Sequence, residues 1–159
     1  MKISIDLSDL KRVANNIGQP KIIESEIRKA MEDALAFTEG QVSMRTDVGA
    51  TGDLRAGIVT EITGLAFSGL RGKVVDPIKY AECVEVGTVP HWAPIAPLKL
   101  WAKRILGDES AAYAIQRKIA FKGTKGQHMF RDGFRASEGY IKKTFAGVTA
   151  NVIKRLGFK

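Results

Sequence analysis

The sequence holds one cysteine and two histidines among 159 residues. A single thiol, Cys83, excludes an internal disulfide and any site built from several thiolates, and two histidines leave few ligands for zinc or haem. Long apolar runs are missing too. The longest stretch without a charged side chain, 86–98, spans thirteen residues and contains Pro90, Pro94 and Pro97, short of the roughly 20 apolar residues that a membrane span needs. Asp6 and Asp9 interrupt the region where a secretory signal would carry its apolar core. The expectation is a protein made and used inside a cell and away from membranes. Catalytic signatures are also lacking: there is no G-x-S-x-G, no H-E-x-x-H, and Gly123-Thr124-Lys125-Gly126 does not have the spacing of a phosphate-binding loop. The reading is non-enzymatic, with no cofactor and no metal.

What is present is the composition of an ordinary globular chain, 45% hydrophobic and 26% charged. A chain of this length buries about 70% of its unfolded surface. The charge is unevenly spread. Residues 1–80 carry eleven Lys/Arg and eleven Asp/Glu, whereas 81–159 carry fourteen against six, so the whole net charge of +8 sits in the second half. A basic half suggests an acidic environment: nucleic acid, a phosphorylated or acidic protein, or the field inside a crowded assembly.

Hydrophobic spacing predicts the elements. Ile3, Ile5 and Leu7 alternate with polar residues as an edge strand does, and a brief helix follows over 9–16. From Pro20 to Thr46, Ile23, Ile27, Ala30, Ala34, Phe37, Gln41 and Met44 recur at spacings of three and four, with Met31, Leu35 and Val42 widening the stripe, the signature of a long amphipathic helix. The β-branched runs 58–63 and 70–75 read as an antiparallel pair. Asp76-Pro77 reads as the cap and first position of a helix over 77–86 ended by Gly87. Three prolines make 88–97 an extended loop, and two helices, one after Pro97 and one after Asp108, form a helical hairpin. In a last long helix over 127–156, Phe130, Phe134, Ser137, Ile141, Phe145, Val148, Val152 and Leu156 follow the three-four rhythm. The fold class is α+β: two long helices packed on one face of a small antiparallel sheet, with a helical-hairpin insertion, in a single domain 1–159 whose Pro-rich loop and helical insertion occupy 90–122.

Several residues invite a functional reading. Trp92, on the proline loop, is either an interface anchor or a lid folded back on the core. Cys83 with His91 has the residue types of a nucleophile and base, yet the carboxylates Glu82 and Glu85 beside the thiol argue against activation, so Cys83 is expected to be buried filler. Glu82, Glu85 and His91 match no recurrent metal-ligand spacing. Arg131, Arg135, Lys142 and Lys143 line the polar face of the last helix, either as a solvated surface or as contacts to phosphates.

Three pieces in chain order carry a resemblance. They are Thr51-Gly52-Asp53-Leu54-Arg55 leading to Ile58, then Gly72-Lys73-Val74, then Tyr80-Ala81-Glu82-Cys83-Val84-Glu85-Val86-Gly87-Thr88. Together this pattern resembles the tail-component family of long-tailed bacteriophages, whose members act as neck or tail-completion proteins. Gly123-Thr124 followed by Met129-Phe130 is similar to the closing segment of that family, and the likeness extends over residues 22–150. Two features depart from it: 90–122 looks like an insertion found in only some relatives, and Cys83 stands where an aromatic or proline is frequent.

The resemblance implies a virion structural protein that joins head to tail or completes the tail as a subunit of a homo-oligomeric ring. It implies contacts with head-connector, tail-tube or tail-terminator proteins, assembly in the host cytoplasm and residence in the virion. The assembly interface is then drawn from Tyr80, Glu85, Thr88, His91 and Trp92, with Glu85 free to pair with a nearby basic residue. The alternative is a basic nucleic-acid-binding module in which Arg131, Arg135, Lys142 and Lys143, with the turn at Lys122 and Lys125, contact DNA without sequence specificity.

Overall fold

The computed structural model describes Ile3, Ile5 and residues 20–155. The predicted edge strand at Ile3, Ile5 and Leu7 falls largely outside the described residues, and Ile3 and Ile5 themselves are not in regular structure. The brief helix over 9–16 and the stripe residue Leu156 also lie outside them. The fold is mixed and mainly helical. In chain order it runs α1 (Pro20–Arg45), α2 (Asp53–Ala56), β1 (Val59–Thr63), β2 (Arg71–Val75), α3 (Ala81–Val86), β3 (Gly87–Thr88), α4 (Ile95–Leu106), α5 (Ala111–Lys122), β4 (Thr124–Lys125), α6 (Met129–Ala146) and α7 (Val148–Arg155). β1 pairs with β2 and β3 with β4, both antiparallel, as two separate two-stranded sheets. No helix among the described residues is long and apolar enough to cross a membrane.

The chain divides into two compact units, one comprising Met1–Gln41, Val59–Val75 and Gly133–Lys159, the other Val42–Ile58 and Asp76–Asp132. In the first unit, Ile23, Ile27, Ala30 and Ala34 of α1 share a buried cluster with Ile141 and Phe145 of α6 and Val148 and Val152 of α7. The two helical stripes close on each other because each has one apolar face and a charged back. Met31 and the turn residues Ala66, Phe67 and Leu70 pack against this cluster. β2 passes close over α1: a Cβ on Gly72 would stand 2.6 Å from the Met31 sulfur and 2.9 Å from a Leu35 methyl. Buried polar side chains of this unit have partners. Thr38 and Ser137 donate their hydroxyls to the carbonyls of Ala34 and Gly133, each at 2.8 Å. Glu26, only 6% exposed, is met by the Arg155 guanidinium at 2.5 Å. Phe37 stacks on Tyr140 with ring centroids 4.1 Å apart.

The buried stripe of α1 departs from its expected course at the end. Met44 is 65% exposed, while Thr38 and Thr46, outside the expected stripe, are buried with Val42 of that stripe. The expected positions follow a seven-residue repeat, and a straight helix drifts about 20° per heptad against such a repeat. Three heptads after Ile23 the inward direction has moved off Met44. The expected last helix is interrupted at Gly147, although hydrogen bonds from Gly147 to Lys143 and from Asn151 to Gly147, both 3.1 Å, carry the helical pattern across the break.

Other boundaries shift for reasons of local chemistry. Asp76 does not open a helix at Pro77. Its Oδ1 accepts from the Ile78 N–H at 2.9 Å as a local side-chain turn, and α3 begins at Ala81 after Ala81 has donated to Ile78. α4 begins at Ile95, ahead of Pro97, because a proline within the first turn forfeits only an N–H that has no helical partner. α4 and α5 form a helical hairpin whose turn is set by Gly107 at φ 73° and by Asp108, whose Oδ1 accepts from the backbone and hydroxyl of Ser110 at 2.8 and 2.7 Å. These Ser110 bonds hold the Asp108 carboxyl below its usual pKa.

Ile27→Ala is expected to destabilise the chain by about 2–5 kcal/mol, since Ile27 is fully buried in the helix cluster. Gly147→Ala is expected to raise stability by about 0.5–1 kcal/mol: the site has helical neighbours, and the nearest atom to an added Cβ is 3.4 Å away. Denaturant unfolding of the two variants beside the parent chain checks both values.

Candidate assembly interface

Two of the segments that carry the resemblance, 80–88 and 123–124, meet in the second unit in one backbone contact, whereas Gly72, Lys73 and Val74 lie on β2 in the first unit. β3 and β4 pair Gly87 with Lys125 and Thr88 with Thr124. Gly87 has φ 83° and ψ −178°, and Gly123 has φ 68° and ψ −159°, a region that only glycine occupies without strain. Side chains are excluded for a second reason. A Cβ on Gly87 would lie 2.4 Å from the Thr124 carbonyl oxygen, and one on Gly123 only 1.9 Å from that of Thr88. The contact extends toward α6, with Gln127 N–H donating to Val84 at 2.8 Å and His128 N–H to Glu85 at 3.0 Å. Thr88 Oγ1 lies 3.0 Å from Thr124 Oγ1 and accepts from the Thr124 N–H at 3.2 Å.

Glu85 has a defined partner, and it is not the basic side chain expected from the sequence. Its two carboxylate oxygens accept the backbone N–H groups of Phe130 and Arg131, at 2.9 and 3.1 Å, in the first turn of α6. These N–H groups have no helical partners, and a negative charge at a helix N-terminus is favourable. The carboxylate of α3 therefore starts α6. His128, just before that helix, holds φ 55°, the one described non-glycine residue with positive φ. Thr46 Oγ1 reaches the Met129 sulfur at 3.3 Å, and Gln127 Nε2 donates to Asp47 Oδ2 at 2.7 Å, which fixes the same segment from the other side.

The five interface candidates thus separate. Glu85 and Thr88 are occupied within the fold. Tyr80, 47% exposed, precedes α3, and burial together with the charges of Asp53 and Asp76 raises its phenol pKa. His91 and Trp92 remain together on the loop after β3. His91 is exposed, with Nδ1 3.0 Å from the Val89 carbonyl, and Trp92 is 70% exposed. The loop is nevertheless pinned to α5: His91 N–H donates to Ile119 at 3.4 Å, Gln116 Nε2 donates to the Ala93 carbonyl at 2.7 Å, and Ala93 is buried. The indole faces outward from an anchored backbone and does not form a core lid.

Cys83 is exposed and not buried filler, because α3 turns Ala81 inward and leaves the thiol on its outer side. Among the described residues no group of three or more His, Cys, Asp or Glu is placed to hold a metal ion. Of the basic candidates, Arg131 is engaged by its neighbour Asp132 through Nε at 2.8 Å and Nη2 at 3.2 Å, and that carboxylate raises its pKa. Arg135, Lys142 and Lys143 are exposed and belong to the first unit, whereas Arg131 belongs to the second. Sequence reasoning missed two exposed aromatics, Tyr113 at 58% and Phe121 at 76%. Their separation of eight residues with Arg117 between them is the signal that would have found them.

Glu85→Ala should lower unfolding free energy by about 1–2 kcal/mol, the range for losing a helix cap. Gly126→Ala should cost more than about 3 kcal/mol, because its Cβ would stand 2.4 Å from the Glu85 carbonyl oxygen and backbone cannot yield as a side chain does. Chemical denaturation measures both, and equal losses for the two would contradict the assignment. No protein-family model matches the chain, and no curated protein or solved structure matches it.

Proposed function

We propose that the protein is a structural subunit of the virion of a long-tailed bacteriophage, placed at the neck or at the tail end and working as one member of a ring. The ordered motif of the resemblance carries this reading. Its residues Glu85, Gly87, Thr88, Gly123 and Thr124 serve the fold through backbone contacts and helix capping, which is the economy of an assembly subunit and not of a reactive centre. The proposal includes the finer arrangement of two long helices on one face of a small sheet with the 90–122 segment as an insertion. It also includes a role without catalysis or cofactor, contacts to head-connector, tail-tube or tail-terminator proteins, and residence in the virion after assembly in the host cytoplasm.

The surface proposed to meet a neighbouring subunit is the anchored loop with His91 and Trp92, flanked by Tyr80. A large aromatic on a backbone already held by hydrogen bonds loses little freedom on docking, which is the condition for an interface anchor. A second reading is favoured by the exposure of Arg135, Lys142 and Lys143. There the protein binds nucleic acid through the basic face of its last helices, with duplex DNA as the partner and a strong dependence on salt.

Trp92→Ala is the test. The variant should retain the thermal transition of the parent chain, since the indole is largely exposed, and should fail to form rings in sedimentation or to enter particles in an assembly reaction. Normal assembly by the folded variant would remove the loop from the interface. A particle-assembly defect in Lys142→Glu/Lys143→Glu, with ring formation intact, would favour the second reading.

A further inference from the structure

The helical hairpin carries a surface that the ring reading leaves unused. Between residues 95 and 125 there are seven Lys/Arg and two Asp/Glu, and α5 itself contains no acidic residue. The helix buries Ala112 and Ile119, and its outward face consists of Tyr113, Ala114, Arg117, Lys118, Phe121 and Lys122, all exposed. Among the described residues, Arg117, Lys118 and Lys122 have no carboxylate partner. The acidic residue Glu109, in the turn before α5, is engaged by Lys99 at 3.5 Å, and Lys99 lies 5.3 Å from the centre of the Tyr113 ring.

The order of side chains along this face is informative. Tyr113, Arg117 and Phe121 fall four residues apart, about 6 Å along the axis at each step. Cations therefore stand between and beside the two rings. Protein interfaces are depleted of lysine, and two of the three cations on this face are lysines, Lys118 and Lys122. A nucleic-acid strand presents what this face can hold, a π-surface for its rings and a negative charge for its cations in every repeat. The two rings stand eight residues apart, about 12 Å along the helix axis, so each can meet a different base of an extended strand. Duplex DNA keeps its base faces covered and would leave the rings idle. Trp92, held beside α5 by the bonds to Ile119 and Gln116, adds a third exposed ring to the same unit.

We propose that the outer face of α5 binds single-stranded nucleic acid without sequence preference, with bases stacked on Tyr113 and Phe121 and phosphates held by Arg117, Lys118 and Lys122. Aromatic platforms interleaved with cations bind single strands in this manner. A single protomer carries the whole face, so the inference stands apart from ring formation and uses residues other than those of the last helices.

The test is fluorescence anisotropy of a labelled oligothymidine of about 20 nucleotides, titrated with the full chain at several salt concentrations. Phe121→Ala and Tyr113→Ala should each weaken binding by about tenfold. Arg117→Gln should flatten the salt dependence by about 0.7 in the slope of log affinity against log salt, the value for one phosphate contact on a single strand. All three variants should keep the parent thermal midpoint, and Lys21→Glu, a surface change on α1, should bind as the parent does. The proposal is overturned if the oligothymidine does not bind at micromolar protein, if a duplex of equal length binds as tightly, or if Phe121→Ala binds like the parent. It is also overturned if binding is lost in Lys142→Glu/Lys143→Glu and kept in Phe121→Ala. Loss of self-association in Phe121→Ala without any oligonucleotide binding would make the face a protein interface instead.

Discussion

The second unit depends on two stretches of backbone lying closer together than side chains permit. Residues 84–88 and 123–128 exchange main-chain hydrogen bonds, and three glycines, Gly87, Gly123 and Gly126, stand where a Cβ would overlap a carbonyl of the opposite stretch. The threonine pair spans 36 residues of sequence, and the helical hairpin lies between its members. Closing this contact therefore sets where the hairpin leaves the body and where it returns. The sheet of two residues per strand is too short to be stable by itself. It persists because its ends are tied to α3 and to the start of α6.

Glu85 couples that contact to helix formation. An isolated helix must be nucleated at the expense of unpaired N–H groups, and its first turn is the least stable part. A carboxylate delivered from α3 satisfies two of those groups with charge-assisted hydrogen bonds. The left-handed conformation of His128 immediately before the helix is held by the same arrangement, since its N–H is bonded to Glu85 and its carbonyl accepts from Asp132. Backbone closure, helix start and local strain are thus one cooperative feature. The first unit rests on a different principle, the burial of complementary apolar stripes from α1, α6 and α7.

Function reads onto this framework by subtraction. Side chains engaged in the clasp are not available to a partner, and the most exposed aromatics among the described residues, Trp92, Tyr113 and Phe121, stand on the anchored loop and on the outer face of α5. Both are presented by backbone that is already fixed, so binding there requires little ordering. The two surfaces differ in chemistry: Trp92 lies among prolines and uncharged residues, whereas Tyr113 and Phe121 are interleaved with cations.

Much of the architecture was legible in the sequence because it rests on local periodicity. The long helix α1, the β1–β2 pair and the hairpin of α4 and α5 all announce themselves through spacing, capping residues and glycine or proline punctuation. The functional meaning of the motif residues was not legible in the same way. Glu85 has the same chemistry whether it meets a lysine or a helix end, and only the approach of residues 127–131 decided that backbone N–H groups are its partners. Cys83 and Met44 turned outward, and Thr38 and Thr46 inward, because a helix of 3.6 residues per turn selects its buried face from what packs against it, and that neighbour is distant in sequence. Composition by itself determined that this is a globular, basic chain without disulfide staples. Which aromatics and cations stand free at the surface was decided by tertiary structure, because exposure depends on contacts between segments that no local pattern encodes.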